Sequence, residues 1–267
     1  MKQIPNIFTL LNLVFGCIAI MYIMQPGLVP QYIAGNEGYT PYLNEETGVQ
    51  FVNIPEQIQL ACLFIGLAAV VDFIDGFVAR LFKAASEMGK QLDSLADVVS
   101  FGVAPGMIIF QFLRLSYAQQ PDGLDTGIIW LLPAFIMPAA GAYRLARFNI
   151  DTQQSYGFKG VPIPAAGLLI ASFPMIGYFD TTSFVHLLIN KWFWYAVILI
   201  VSYLMVSTLP MIAMKFRNLS IKDNWPIFLL VIIAIIAAIV LKWLAVPVVF
   251  VVYVILSLLI KQKQHDV

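Results

Sequence analysis

Long apolar runs separated by short polar segments dominate the pattern along the chain. A transmembrane helix needs about 20 mostly apolar residues, and eight such runs can be drawn. They fall roughly at 4 to 24, 57 to 82, 93 to 116, 126 to 148, 161 to 179, 191 to 213, 226 to 241 and 244 to 260. Lys242 and Pro247 mark the turn between the last two, which together could be misread as one long helix. The first run follows Met1 and Lys2 as a signal peptide would. It is too long for one and has no small-residue cleavage site before Gln25, so it reads as an uncleaved anchor. The expected fold is an all-α integral membrane protein, a polytopic bundle of about eight transmembrane helices. No internal repeat or linker divides it, so 1–267 reads as a single domain.

The cations orient this bundle, because Lys and Arg in short loops stay on the cytoplasmic side. Lys2, Arg80, Lys83, Lys90, Arg144, Arg147, Lys159, Lys215, Arg217, Lys222, Lys261 and Lys263 fall at the termini or after even-numbered spans. Arg114, Lys191 and Lys242 fall on the other side. Both termini are therefore expected in the cytoplasm, as an even number of spans requires. The loop 25–56 carries Glu37, Glu45, Glu46 and Glu56 without a Lys or Arg, and reads as exterior.

Composition sharpens the class. Of the 267 residues, 60% are hydrophobic and 11% charged, whereas soluble domains carry about a quarter charged residues. A soluble globular fold is excluded. Fifteen Lys and Arg balance fifteen Asp and Glu, which leaves no basic excess to hold a nucleic-acid backbone, and no nucleic-acid partner is expected. Two cysteines, Cys17 and Cys62, in apolar runs and two histidines, His186 and His265, provide neither a disulfide framework nor a zinc site.

The chemistry gathers in 71–97. Asp72 and Asp75 are spaced i, i+3 and Asp93 and Asp97 i, i+4, so each pair shares a helix face. Two antiparallel helices joined by a short turn bring the four acids together. Carboxylates crowded in one site cannot all ionise without a counter-charge, and an acid within a membrane helix costs several kcal/mol. Divalent cations supply that charge, and oxygen ligands without nearby His or Cys select Mg²⁺ or Mn²⁺. Two such ions about 3.5–4 Å apart form the clamp used in in-line phosphoryl chemistry.

The run Asp75-Gly76-x2-Ala79-Arg80-x8-Gly89-x3-Asp93-x3-Asp97, with Asp72 three residues ahead, resembles the signature of the CDP-alcohol phosphotransferase family at every position. The resemblance implies that Asp72, Asp75 and Asp93 ligate metal and that Asp97 completes the metal site and acts as general base. It implies further that Gly76, Ala79, Arg80 and Gly89 line a CDP pocket, and that the protein is a homodimer. Four wider stretches resemble the serine-using branch of the family, which joins L-serine to CDP-diacylglycerol. They are Ile4-Pro5-Asn6-Ile7-Phe8-Thr9-Leu10-Leu11-Asn12-Leu13, the segment from Leu92 to Gly102, Tyr143-Arg144-Leu145-Ala146-Arg147-Phe148-Asn149, and Phe158-Lys159-Gly160-Val161-Pro162-Ile163-Pro164. Ser94 and Val98 stand where relatives using glycerol phosphate usually have Pro and Lys. The last two helices, about 226–260, lie outside the signature region.

Other residues carry two readings each. Arg144 and Arg147, spaced i, i+3, with Asn149 after them, are donors suited to a serine carboxylate or a lipid phosphate. They also fit positive-inside topology. Asn6, Thr9 and Asn12 recur at i, i+3, i+6 on the first span, where they reach a nucleotide or bond a neighbouring helix. Membrane acids also mark transport pathways, so an ion-coupled transporter is the alternative from outside the enzyme class. Within it, glycerol phosphate or inositol phosphate is the alternative acceptor. A transporter site lies near the midplane on broken helices, whereas Asp75 stands about 10 Å from its helix end at 1.5 Å per residue. The expected location is the cell membrane, with the active site facing the cytoplasm and membrane lipid around it.

Overall fold

A computed structural model describes residues 4–24, 28–30, 41–43, 50–53, 57–81, 86–120, 126–150, 158–179, 184–212 and 221–259. Eight apolar helices carry the fold: α1 (Ile4–Ile23), α2 (Ile58–Leu81), α3 (Glu87–Ala118), α4 (Ile128–Ile150), α5 (Ile163–Phe179), α6 (Lys191–Val206), α7 (Ile221–Leu241) and α8 (Ala245–Leu259). Among the described residues, five stretches are long and apolar enough to cross a membrane by length and composition, and the last of these, Asn224–Leu259, has 36 residues. A 3-10 turn, Lys242–Leu244, breaks it, with Lys242 in the left-handed region at φ 50°. That break separates α7 from α8, and the shorter α5 and α6, of 17 and 16 residues, bring the apolar helices among the described residues to eight.

Side-chain contacts fix the direction of each pass. Thr9 meets Asp75 near the start of α1, while further along α1 Phe15 and Tyr22 both pack on Phe64, with ring centroids 5.8 and 5.7 Å away. Hence α1 and α2 are antiparallel. Asn149 bonds Ser94 and Phe135 packs on Phe110, so α4 reverses α3. Trp130 and Arg147 of α4 bond Tyr195 and the Val206 carbonyl of α6, which makes those two parallel. Phe179 stacks on Trp243 at 6.0 Å, placing the start of α8 beside the end of α5. Successive passes therefore alternate, and the bundle has one end that carries the aspartates and a distal end that carries aromatic rings.

Burial is greatest where α3 passes through the middle. Phe101, Ile108, Ile109 and Leu113 of α3 are fully enclosed with Met137, Ile163, Ile170 and Trp194 from α4, α5 and α6. In the most apolar 18-residue stretch of α3 half of the residues are buried, against 11% in that of Asn224–Leu259. Exposed Ile232, Ile235, Ile236 and Ile239 on α7 form the kind of apolar surface that lipid solvates.

Three boundaries differ from the sequence expectation by five residues or more; one is the seventh span, expected from 226, which begins at Ile221 with Pro226 inside the helix. The sixth span, expected to reach 213, ends at Val206. Pro210 cannot extend a helix, and Pro210–Met211 pairs instead as a short strand with Phe158–Lys159. Gly160 turns between that strand and α5 at φ 75°, and its N–H bonds the Leu209 carbonyl at 2.9 Å. A Cβ there would stand 2.9 Å from the Ser207 oxygen, so glycine is required on both counts. The third span, expected to begin at 93, begins at Glu87, capped by Ser86 Oγ accepting from the Gly89 N–H at 3.0 Å. Within the expected exterior loop 25–56, three short strands, Leu28–Pro30, Pro41–Leu43 and Gln50–Asn53, pair antiparallel with the third in the centre.

Candidate active site

Asp72 descends from α2, and Asp93 and Asp97 lie one turn apart on α3. One carboxylate oxygen from each lies within 4.8 Å of the others. The i, i+4 spacing on α3 sets two of the three, and the antiparallel crossing of α2 brings the third. The Asp72 and Asp93 carboxyls lie close to one another. Asp75, one turn beyond Asp72, acts electrostatically on both Asp72 and Asp93 but lies outside the tight trio. It is 7% exposed, and its Oδ1 is buried with no hydrogen-bond partner.

Whether a divalent cation suits this place is a question of donors. The trio is all carboxylate, a hard oxygen set of the kind Mg²⁺ and Mn²⁺ take. The orphaned Asp75 Oδ1 adds an acceptor lacking a donor, and acids brought this close repel without a cation. The residues present fit the group.

Helix α1 closes over the cluster. Thr9 Oγ1 is a hydrogen-bond donor to the Asp75 carboxylate and also lies 3.2 Å from the Pro5 carbonyl. Asn12 Nδ2 donates to Asp97 Oδ1 at 3.4 Å, and the Asn12 carbonyl accepts from Ser100 Oγ at 3.0 Å. Ser100 belongs to a π-helical stretch, Val98–Val103, that begins immediately after Asp97. Such stretches often mark functional sites, because one widened turn re-aims the side chains around it.

The remaining expected residues divide. Gly89 sits beside Asn6: a Cβ on it would stand 3.2 Å from Asn6 Oδ1. Gly76 is half-buried on α2 next to Asp75. Ala79 and Arg80 are helical, and their side chains lie outside the described residues. Arg144 is 5% exposed, lies within electrostatic range of Asp97 with Tyr253 nearby, and its Nε has no partner. Arg147 is otherwise engaged: its Nη1 and Nη2 donate to the Val206 and Ser207 carbonyls at 2.7 and 3.0 Å, capping the end of α6. Asn149 Nδ2 donates to Ser94 Oγ at 2.8 Å and its carbonyl accepts from Lys90 Nζ at 3.1 Å, which ties α4 to the turn of α3 before Asp97.

Asn12, read from sequence in one stripe with Asn6 and Thr9, bonds Asp97 on the neighbouring helix. Two further participants were not singled out from sequence. Ser100 lies three residues past Asp97, on nearly the same face, though only the π-helical stretch reveals its contact with α1. Tyr253 comes from α8, and nothing local in sequence pairs it with Arg144.

A sequence profile of the CDP-alcohol phosphatidyltransferase family matches residues 2–189. A Helicobacter pylori strain J99 protein named CDP-diacylglycerol–serine O-phosphatidyltransferase is 34% identical over 168 residues, covering 62% of this chain and 54% of its own length. A Bacillus subtilis protein of the same name is 37% identical over 139 residues, 50% of this chain and 73% of the relative. An archaetidylserine synthase of Methanothermobacter thermautotrophicus is 32% identical over 171 residues, covering 62% and 65%. The chain spans about half the length of the Helicobacter relatives it matches.

Proposed function

We propose, from the premise that the chain belongs to the CDP-alcohol phosphatidyltransferase family, that it moves the phosphatidyl group of CDP-diacylglycerol onto the hydroxyl of L-serine and releases CMP. The observation that carries this is the convergence of Asp72, Asp93 and Asp97 within 4.8 Å beside the unpartnered Asp75 oxygen. Choice of serine as acceptor is supported by the names of the relatives, which include serine or archaetidylserine throughout those compared above.

Two divalent cations, Mg²⁺ or Mn²⁺, held by Asp72, Asp93 and Asp97 with Asp75, would neutralise the charge that builds on the phosphoryl oxygens and on departing CMP. In this reading Asp97 accepts the proton of the serine hydroxyl, which is too weak an acid to ionise alone at neutral pH. The serine oxygen forms a bond to the lipid-bearing phosphorus, and the bond from that phosphorus to the CMP oxygen breaks. Asn6, Thr9, Gly76, Ala79, Arg80 and Gly89 line the CDP side. Arg144 faces the acceptor carboxylate, and Arg147 and Asn149, engaged with α6 and α3, stand at the rim for lipid phosphate.

The chain acts in this reading as a homodimer and a single membrane domain over 1–267. Contacts across the boundary of the profile match support the single domain: Arg147 bonds the Val206 and Ser207 carbonyls, and Phe158–Lys159 pairs with Pro210–Met211. A cytoplasmic-membrane site facing the cytosol is supported by the sequence pattern, in which twelve of fifteen Lys and Arg fall at the termini or after even-numbered spans.

The test is CMP release from CDP-diacylglycerol by purified protein with Mg²⁺ or Mn²⁺, comparing L-serine, glycerol 3-phosphate and inositol phosphate. Serine-dependent release that Asp97→Asn abolishes is the expected result. Release with another acceptor alone overturns the serine assignment, and no release from folded protein overturns the transferase reading.

A further inference from the structure

We infer that Asn12 is the positioning residue of Asp97, and that α1 thereby sets the form in which the acidic cluster receives a divalent cation. The inference rests on the metal-binding reading of that cluster and adds a residue that neither signature nor spacing assigns to it.

The argument starts from the amide itself. An ionised carboxylate only accepts, so the amide nitrogen of Asn12 must be the group that faces Asp97, as found at 3.4 Å. Its oxygen then points away, and there it finds nothing: Asn12 is fully buried and Oδ1 has no partner. An orphaned buried acceptor lowers stability. Leucine has the same branched outline without that penalty, so packing gives no reason for an amide here. What the amide supplies is the single bond to Asp97.

The backbone of Asn12 is held as firmly as its side chain. Ser100 Oγ donates to the Asn12 carbonyl at 3.0 Å from three residues beyond Asp97. Gly16, one turn further along α1, lies so close to Ser100 that a Cβ would collide with the Ser100 hydroxyl and stand 2.9 Å from its Cα. Side chain and main chain of Asn12 are thus tied to α3 at Asp97 and at Ser100 just beyond it. A carboxylate with one oxygen held loses rotation about its Cβ–Cγ bond, so it enters the trio already oriented. Outer partners of this kind tune metal ligands by their hydrogen bonds.

The experiment compares the full-length wild type, Asn12→Leu and Ser100→Ala in lipid nanodiscs, by titration with Mn²⁺ alone, followed by the electron paramagnetic resonance signal of free Mn²⁺. Thermal melting and CMP-release kinetics accompany it. Asn12→Leu is expected to melt at or above the wild-type temperature yet bind Mn²⁺ about tenfold more weakly, with kcat lowered about tenfold and the KM for CDP-diacylglycerol within about twofold. Ser100→Ala moves the same quantities in the same direction by about threefold. A merely structural asparagine predicts unchanged Mn²⁺ binding and kcat in Asn12→Leu, and that result overturns the inference. Should Asn12→Leu fail to fold, unchanged Mn²⁺ binding and kcat in Ser100→Ala overturns it instead. Wild type that takes up no Mn²⁺ overturns the metal reading and this inference with it. Wild type that binds Mn²⁺ without releasing CMP overturns only the reaction, and the Mn²⁺ titration still decides the role of Asn12.

Discussion

The two ends of the bundle satisfy their polar groups in opposite ways. At the distal end Tyr117 donates to Tyr195 at 2.9 Å, Tyr195 to the Trp130 carbonyl at 2.7 Å, and Trp194 Nε1 to the Leu188 carbonyl at 2.7 Å. Lys191 bonds Gln120 at 3.0 Å and lies 4.7 Å above the Tyr117 ring. Every one of these groups has its partner within the protein, around rings that suit a membrane interface. At the aspartate end the pattern reverses. The four described buried side-chain atoms without partners are Asn12 Oδ1, Asp75 Oδ1, Arg144 Nε and Ser202 Oγ, and all lie in the halves of their helices nearest that end. A buried polar group left open costs stability. One end is therefore built to hold the helices together, the other to be completed by what it binds.

Substitutions at the two ends should separate activity from stability. The largest effect belongs to Asp97→Asn: CMP release is expected to fall by about 10²–10⁴, while thermal melting stays at or above wild type because one of four crowded acids is neutralised. A melting temperature that falls along with activity would break the contrast. Next, Arg144→Ala should raise the KM for serine about tenfold with that for CDP-diacylglycerol little changed, the equivalent of one charge-assisted hydrogen bond. Arg147→Ala, which unties α6, should leave the serine KM within about twofold and lower the melting temperature. Gly160→Ala forces a Cβ toward the Ser207 carbonyl at positive φ and should cost about 1–3 kcal/mol of stability, read by thermal unfolding. Smallest is Tyr195→Phe at the distal end, with a loss of about 1 kcal/mol and unchanged CMP release.

How far the sequence reaches depends on the range of the interaction. Helices were legible because lipid demands an unbroken apolar run, and Asp72, Asp75, Asp93 and Asp97 because acids in such runs are rare and their spacing fixes a face. Division of those acids into a trio and a separate Asp75 was not, since it depends on Thr9 arriving from α1, 66 positions away. Arg144 and Arg147 look equivalent at i, i+3, yet α6 ends beside only one of them. The end of α6 itself was misplaced because Leu209 through Ile212 is apolar enough for a span, while Pro210 and the strand at Phe158–Lys159 decide otherwise. No periodicity marks a π-helical turn after Asp97, because the choice between it and an α-helix is made by the helices packed around it.

The lengths of α5 and α6 bear on how a lipid reaches the aspartates. At 1.5 Å per residue their 17 and 16 residues span about 26 and 24 Å, short of a hydrocarbon layer about 30 Å thick. Their distal ends are fixed in the ring-bearing layer by Phe179 on Trp243 and by Trp194 on Phe173. The missing length therefore falls at the opposite end, where both helices meet the Phe158–Met211 strand pair. Hydrophobic mismatch of this size is relieved by thinning the bilayer beside the short helices. A bilayer thinned on that flank would bring the phosphates of its own lipids toward the depth of the carboxylates.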